Sequence, residues 1–288
     1  MRLPPAPLGL AIALVTAPAT AAQGPGDLES IPWVGGPVTG QLGPEASVQV
    51  PAGCNFTGKD GVRQFMELTQ NPVGGDERGV ILCGHPSDPG APFWFVVFTF
   101  EESGYVKDDE RDQLDAGAIL ESIRRGTEAS NEERRRRGWS TLTIEGWVTE
   151  PYYDVTTHNL TWAINGLDSD GSRSVNHSVR LLGRSGVMHV DLVAAPEDLS
   201  GVMGTFGQIV AGHQYLPGHR YAEWRAGDKV ATYGLTALVA GGAGAIAAKT
   251  GLLAKFWKLI VAFFVVVGAG IKALWSRITG RGSANTPA

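Results

Sequence analysis

Acidic residues are missing from both ends of this 288-residue chain. The first is Asp27 and the last is Asp228, so all 29 lie between them, together with 16 of the 24 Lys and Arg residues. That stretch carries a formal charge of −13, which argues against nucleic acid or an anionic lipid surface as partner of the body. Seven basic residues and no acid follow Asp228; a basic, apolar tail is the pattern of a segment in contact with a membrane. Cysteine is scarce, with only Cys54 and Cys83. Without a Cys-x-x-Cys pair they are poor zinc ligands. The chain also lacks a Gly-rich phosphate loop ending in Lys-Ser/Thr, a His-Glu-x-x-His and a Gly-x-Ser-x-Gly elbow. The signatures of nucleotide, zinc-peptidase and serine-hydrolase chemistry are therefore absent, and no cofactor is expected.

Glycine (39) and proline (17) are plentiful, which points to many turns and a strand-rich body. At the start, Arg2, the apolar run Leu8–Val15 and the small residues Ala19-Thr20-Ala21 have the layout of a cleaved signal peptide over 1–21. The run is too short to span a bilayer. Export changes the reading of the cysteines, because two thiols in an oxidising compartment often pair. Both follow strand-like strings, so a Cys54–Cys83 disulfide and a pair of buried thiols stand as alternatives.

The central region, 22–228, reads as an α+β domain built mainly on antiparallel sheet with one long helix. Ala46–Val50, Val80–Cys83 and Phe93–Phe100 read as strands. The last, FWFVVFTF, is apolar on both faces and belongs at the centre of a sheet. Thr57 is placed to cap a helix carrying Val62, Phe65 and Met66 on one face. A helix from about Asp115 to Arg137 follows an acidic loop; Leu114, Ala118, Ile119 and Ile123 form its apolar stripe. Its end, NEERRRRG, reads as a solvated helix terminus, with Glu132 and Glu133 four residues before Arg136 and Arg137. Four further strands, Ser140–Thr149, Asn159–Asn165, Ser174–Gly183 and Val187–Ala194, joined by short links, predict an antiparallel meander. A short helix is expected over Glu197–Ala211.

The segment 229–275 reads as a membrane anchor, followed by a basic tail over 276–288. In 256–275, Lys258 and Lys272 flank an apolar middle and Trp257 and Trp275 occupy the two interfacial belt positions. The length approaches the roughly 20 residues that cross a bilayer. A second span over 230–248 is uncharged but rich in Gly and Ala; Ala237, Gly241 and Ala245 make a small-residue face suited to close helix contact in lipid. One span and a helical hairpin both remain open, with a lean to the hairpin. The lipid bilayer and other envelope proteins are the partners expected, and the inner membrane, with the main domain in the periplasm or outside, is the location.

Several clusters carry conceivable chemistry. In EPYYDVTTHNLTW (150–162), Asp154 and His158 are four apart, and with Asp108 or Asp109 they offer acid and base for a hydrolase. Pro151 and the strand-like flanks favour a hairpin instead, with Asp154 accepting backbone hydrogen bonds that close the turn. His177, His189 and Asp191 would make a metal site only if their strands pair in the right register; otherwise they are a solvent-facing polar strip. Asp168 and Asp170 sit in a hairpin tip that lacks the remaining ligands of a calcium loop.

The strings SGYVKDD (103–109), GWVTEPYYDVTTHNLTWAI (146–164), VRLLGRSGVM (179–188) and GHRYAEW with GDKVATYGLTALVAGG (218–242) resemble a bacterial family of uncharacterised membrane-anchored proteins, domain of unknown function 2167. The resemblance covers roughly Ile31 to Trp275. It implies an exported body with a C-terminal anchor and no defined activity, substrate or cofactor. Cys54 stands where the family shows an aromatic or other apolar residue, so a disulfide would be particular to this chain. His177 and His189 fall outside the family pattern. The expected role is a non-enzymatic interaction or structural component of the envelope, with the hydrolase as alternative.

Overall fold

A computed structural model of the chain describes residues 26–84 and 91–240. The signal peptide, residues 241–248 of the 230–248 segment, the 256–275 segment with Trp257, Lys258, Lys272 and Trp275, and the basic tail lie outside the described residues. In chain order the elements are α1 (Gly26–Glu29), β1 (Val34–Gly35), β2 (Val38–Leu42), β3 (Ala46–Val50), β4 (Cys54–Thr57), α2 (Lys59–Leu68), β5 (Glu77–Cys83) and β6 (Trp94–Glu101). They continue with α3 (Ala116–Arg137), β7 (Leu142–Asp154), β8 (Asn159–Asp168), β9 (Arg173–Leu182), β10 (Val187–Ala194), α4 (Leu199–Ala211), β11 (His213–Tyr215), a 3-10 turn (Tyr221–Glu223) and α5 (Leu235–Ala240).

The fold is α+β. Eight antiparallel strands form one sheet in the order β1-β4-β5-β6-β10-β9-β8-β7, and β11-β3-β2 form a smaller one. Strands β7 to β10 are the expected meander, and β6 lies inside the sheet between β5 and β10. Its apolarity on both sides follows from that position. Trp94, Val96, Phe98 and Phe100 join the core with Val190, Leu192 and Phe206 of α4. Phe95 and Val97 point the other way, into a core with Val62, Phe65 and Met66 of α2. The small sheet packs on the α4 face through Leu42, Val48 and Val50.

Helix α3 guards one edge of the large sheet. The Asn131 amide donates to Leu142 O and its carbonyl accepts from Leu142 N, both at 2.9 Å. Arg124 donates to the carbonyls of Ile144 and Glu145. These bonds occupy outward backbone groups of β7 that would otherwise recruit another strand. The helix starts on Asp115, whose side chain accepts from Ala118 N, and stops at Gly138 in a left-handed conformation.

Four expectations need correction. Thr57 is not a cap: it ends β4, paired with Val80, and α2 starts on Gly58 without a side-chain cap bond. The Thr57 hydroxyl is buried against Gly61 in the first turn of α2 and makes no hydrogen bond among the described residues. The arginine run is not all solvated. Arg134 is buried and donates to Ser140 O, while Arg136 and Arg137 pair with Glu133 on the outside. In the stripe of this helix Ile119 and Ile123 are buried, but Ala118 is exposed because the buried face continues through Thr127 and Asn131. Finally, His189 and Asp191 are not on a solvent-facing strip. They lie on the face opposite α4, in a covered polar network. Asp191 accepts from Arg180 at 2.9 Å and from Ser178 at 2.6 Å, and the Arg180 guanidinium stacks 4.6 Å from the Trp162 ring. His189 Nε2 bonds Glu101 Oε2 at 3.0 Å, and the Tyr233 hydroxyl donates to the other Glu101 oxygen. Burial, then Arg180, pushes the His189 pKa down. Burial works against the Glu101 carboxylate, but its bonds to His189 and Tyr233 outweigh that and hold its pKa below the usual range.

Tyr233 belongs to a strap that crosses this network before α5. Val230 bridges Tyr105 in parallel, Arg184 and Asp228 form a two-bond ion pair at 2.7 and 2.8 Å, and Glu110 accepts from Thr236 N. Residues 230–234 are therefore not helical and are tied to the body, and no helix among the described residues is long and apolar enough to cross a membrane.

Cys54 and Cys83 are paired opposite each other on β4 and β5, with Cα atoms 4.3 Å apart, and form a disulfide. It closes a loop with a sequence separation of 29. Such a loop is expected to contribute about 3.5 kcal/mol by restricting the unfolded chain. Urea titration of the Cys54→Ser/Cys83→Ser double variant should show that loss; an unchanged midpoint would mean the bond adds nothing to the β4–β5 pairing.

Candidate functional site

The hairpin between β7 and β8 places the residues that the sequence singled out. Residues 155–158 form the turn. Asp154 Oδ1 accepts from Thr156 N at 2.8 Å and Oδ2 from the Thr157 hydroxyl at 2.9 Å. Those bonds, the Thr156 amide first, hold its pKa below the usual carboxylate range. Asp154 thus closes the turn. His158 ends it with φ of 55°, in the left-handed region that a side chain occupies only when its surroundings hold it there.

What holds the His158 ring is a hydrogen-bond chain. Its Nδ1 lies 3.0 Å from the Tyr153 hydroxyl, which donates to Asp108 Oδ2 at 3.2 Å. Burial, then the Asp108 charge, raises the Tyr153 pKa well above its ordinary value, so the phenol keeps its proton. With the phenol donating to Asp108, His158 Nδ1–H donates to the phenol oxygen. Asp109, the other acid considered, is exposed. The His158 ring also packs 4.6 Å from Tyr221; Tyr221 stacks on Tyr105 at 4.5 Å, and Tyr105 meets Trp224 at 5.2 Å. Segments from Tyr105, Tyr153 and Tyr221 therefore converge on one end of the large sheet. Each falls in one of the strings that carried the family resemblance.

Beside this end, a cleft of about 770 Å3 opens between β8, β9 and α4. Val179 and Leu181 of β9 and Met203, Phe206 and Val210 of α4 supply its apolar floor. His158, His177, His213, Arg220 and Tyr221 supply polar groups, and Asp154 reaches its rim. His177 packs edge-on against Phe206 at 5.3 Å, and burial lowers its pKa. His213 packs edge-on against Tyr215, and burial takes its pKa down to about 4. Its Nε2 is buried with no hydrogen-bond partner among the described residues. Both imidazoles are neutral near pH 7. Arg220 makes no ion pair among the described residues.

The metal candidates do not assemble. His177 is opposite Leu192 on the α4 face, whereas His189 is opposite Arg180 and Asp191 opposite Ser178, on the other face. The sheet itself separates them, because successive side chains alternate sides. Among the described residues no group of three or more His, Cys, Asp or Glu side chains is arranged for a metal ion. Asp168 and Asp170 lie at the β8–β9 tip, where Asp170 accepts from Ser172 N and Oγ. Sequence reasoning missed Tyr153, His213, Arg220 and Tyr221 as a set. Only their placement in or next to strings such as GHRYAEW marked them, and no local spacing connects them.

Two stability effects follow. His213 is disfavoured as a cation only in the folded state, so its contribution is complete above about pH 6.5 and disappears as pH falls towards 4. Over that window about 3 kcal/mol is at stake. The stability difference between wild type and His213→Gln, followed by urea unfolding at each pH, should shrink by that order from pH 7 to 4; a flat difference would contradict the burial. For Asp154, whose folded pKa is depressed, stabilisation is present above the ordinary carboxylate pKa and lost below it. Asp154→Ala should lower the unfolding midpoint at pH 7 and match wild type in strong acid, and a pH-independent deficit would count against the turn role.

No curated protein matches this chain. Solved structures that are similar include the solution structure of cyanobacterial PsbP (CyanoP) from Synechocystis sp. PCC 6803. It is 12% identical, with a TM-score of 0.38, over 64% of this chain and 95% of that one. Another is the Saccharomyces cerevisiae Ran-binding protein Mog1p, 9% identical with a TM-score of 0.32, over 62% of this chain and 93% of that one. The family model described as protein of unknown function (DUF2167) matches residues 36–272. That match spans both sheets, the turn with Asp154 and His158, and the strap, and the chain belongs to the DUF2167 family.

Proposed function

We propose that this DUF2167 protein is an envelope protein, exported and held at the cytoplasmic membrane by its C-terminal segment, whose body acts as an interaction component and not as an enzyme. The observation that carries the reading is the cleft. It has an apolar floor and neutral imidazoles, and the acid at its rim, Asp154, has both oxygens occupied by the turn. Such a lining suits holding a ligand or partner segment better than it suits turning over a substrate. The Cys54–Cys83 disulfide supports an oxidising location. The strap supports one span. With 230–234 outside any helix and α5 beginning at Leu235, the uncharged run to Ala248 is too short, at 1.5 Å per residue, for about 30 Å of hydrocarbon. The segment 256–275 is then the anchor, and the basic tail faces the cytoplasm, as the positive-inside rule favours.

One observation favours the alternative. The Asp108–Tyr153–His158 chain orients an imidazole in the manner of a general base. In this reading His158 would activate water in an envelope hydrolase, with Asp108 acting through Tyr153 and Asp154 restricted to the turn.

In intact bacterial cells with a permeable outer layer, added protease should degrade the body, and a cysteine introduced by Ser283→Cys should resist a membrane-impermeant maleimide. A protected body would overturn the location, and a labelled tail the single span. Crosslinking in those cells should capture a partner protein, whereas recovery of the chain alone counts against the interaction role. Esterase activity towards p-nitrophenyl esters that vanishes in His158→Gln and persists in Asp154→Ala would replace this reading with the hydrolase.

A further inference from the structure

We propose that the strap over residues 228–234 is an acid-released latch, held shut at neutral pH by Tyr233 on Glu101 and opened by protonation of the Glu101–His189 pair. The strap has no helix or strand of its own to hold it in place. It is fastened to the body side chain by side chain. Asp228 pairs with Arg184, and Lys229 Nζ donates to Glu102 O at 3.0 Å. Tyr105 N donates to Lys229 O at 2.8 Å and Ala231 N to Tyr105 O at 2.9 Å. The last fastening is the Tyr233 hydroxyl on Glu101 Oε1. The backbone bonds do not titrate. The Arg184 bond, above all, takes the Asp228 pKa down to about 2, so that ion pair survives mild acid. The Tyr233 bond is different, because its acceptor belongs to a titratable pair.

One carboxylate is shared by the strap and β10: Glu101 Oε2 holds His189 Nε2 at 3.0 Å while Oε1 holds Tyr233. The His189 and Glu101 side chains are only 15% and 14% exposed, so water does little to screen them. The charged and polar groups facing them come from every neighbouring element. Arg180 of β9 is opposite His189 and is bonded to Asp191 of β10, which also accepts from Ser178. Ser103 lies beside the Tyr233 hydroxyl, and Glu110 accepts from Thr236 N where the strap enters α5. A bond to an ionised carboxylate is about twice as strong as a neutral one, so a proton on Glu101 weakens the hold on Tyr233. Burial, then Arg180, opposes a proton on His189. Opening the strap removes Tyr233 and admits water to the pair, which returns both groups towards their ordinary values. Both are depressed in the closed state. Closure is therefore complete above the ordinary imidazole value of 6.5 and weakens as pH falls below it, with Glu101 adding to the effect below 4.5. The loop held by the strap through Tyr105 also carries Asp108, so release reaches the Asp108–Tyr153–His158 chain.

The test is hydrogen–deuterium exchange of the full chain in phosphatidylcholine nanodiscs at pH 7 and pH 5, with rates corrected for the intrinsic pH dependence of exchange. The Tyr105 and Ala231 amides donate across the bridge and report closure of the strap. Amides of β6 and β10 report the seam between those strands. From pH 7 to pH 5 the protection of Tyr105 and Ala231 should fall roughly 10–30-fold, up to the protonation ratio of an ordinary imidazole at the lower pH. His189→Gln keeps an N–H donor for Glu101 but cannot titrate. It should abolish that fall and leave the seam with its wild-type response to pH. Tyr233→Phe should lower strap protection at pH 7 without loss at the seam. Strap protection that is the same at both pH values overturns the proposal, and so does an equal fall in His189→Gln. Strap amides that exchange at the rate of the seam at both pH values also overturn it, because the strap then opens only when the whole body unfolds. If His189→Gln loses seam protection at pH 7, the decision passes to Tyr233→Phe: wild-type strap protection in that variant at pH 7 overturns the proposal.

Discussion

The pairing of β6 with β10 is the constraint on which the rest of the molecule depends. Seven residue pairs, from Val187 with Glu101 to Val193 with Phe95, join strands separated by about ninety residues. Without that seam the β4-β5-β6 group and the meander β7 to β10 would be separate small sheets, each with an open edge. The seam also fixes which way every side chain of the meander faces. A slip of one residue would send Val190 and Leu192 away from Phe206 and turn His189 and Asp191 into the apolar core. Strand β6 can bear this role because its residues are apolar on both sides, so neither face need meet water.

The polar network opposite α4 depends on the same register. Glu101 ends β6 and His189 lies two residues along from its partner on β10. Arg180 faces His189 across the next strand pair. Charges buried in this way are costly unless each has a partner, and here the partners come from three strands and the strap. Tyr233 closes the network over Glu101. The segment that leads towards the anchor is therefore part of the folded body through a hydrogen bond, an ion pair and a backbone bridge, and not a loose linker. A disturbance of Glu101 or His189 has a direct route to the last residues before α5.

The cleft and the hairpin sit on opposite consequences of one geometry. Tyr152 and Tyr153 are adjacent, so one faces the cleft and the other faces Asp108. His158 occupies the end of the sheet, where both environments are within reach. That is why a single loop contributes to the hydrogen-bonded chain and to the wall of the cleft. The aromatic stack of Tyr221 on Tyr105 holds the loop after β6 against this turn, so three distant segments depend on one another for their positions.

Much of this was legible in the sequence. Consecutive strand-like runs with short links marked the meander, and the run at Phe93–Phe100, apolar on both faces, marked a central strand. Pro151 and the polar run before Leu160 were enough to make Asp154 a turn residue and not half of a helical pair, since that is decided by local backbone preference. The family strings stood out for the same reason that they later converged: each supplies part of one end of the sheet. What the sequence could not supply was register and pairing between distant segments. Whether Cys54 meets Cys83, whether His177 shares a face with His189, and whether Arg134 is solvated depend on which strand lies next to which. Thr57 was misread because a capping signature is local, whereas its strand partner Val80 is not. The sequence by itself determined the longer strands and helices of the large sheet and its covering layers, the charge asymmetry and the closing of the Asp154 turn, all properties of neighbouring residues. Only the tertiary structure decided the disulfide, the separation of the metal candidates, the Asp108–Tyr153–His158 chain and the cleft, because each is made by contacts between segments that only the seam between β6 and β10 brings together.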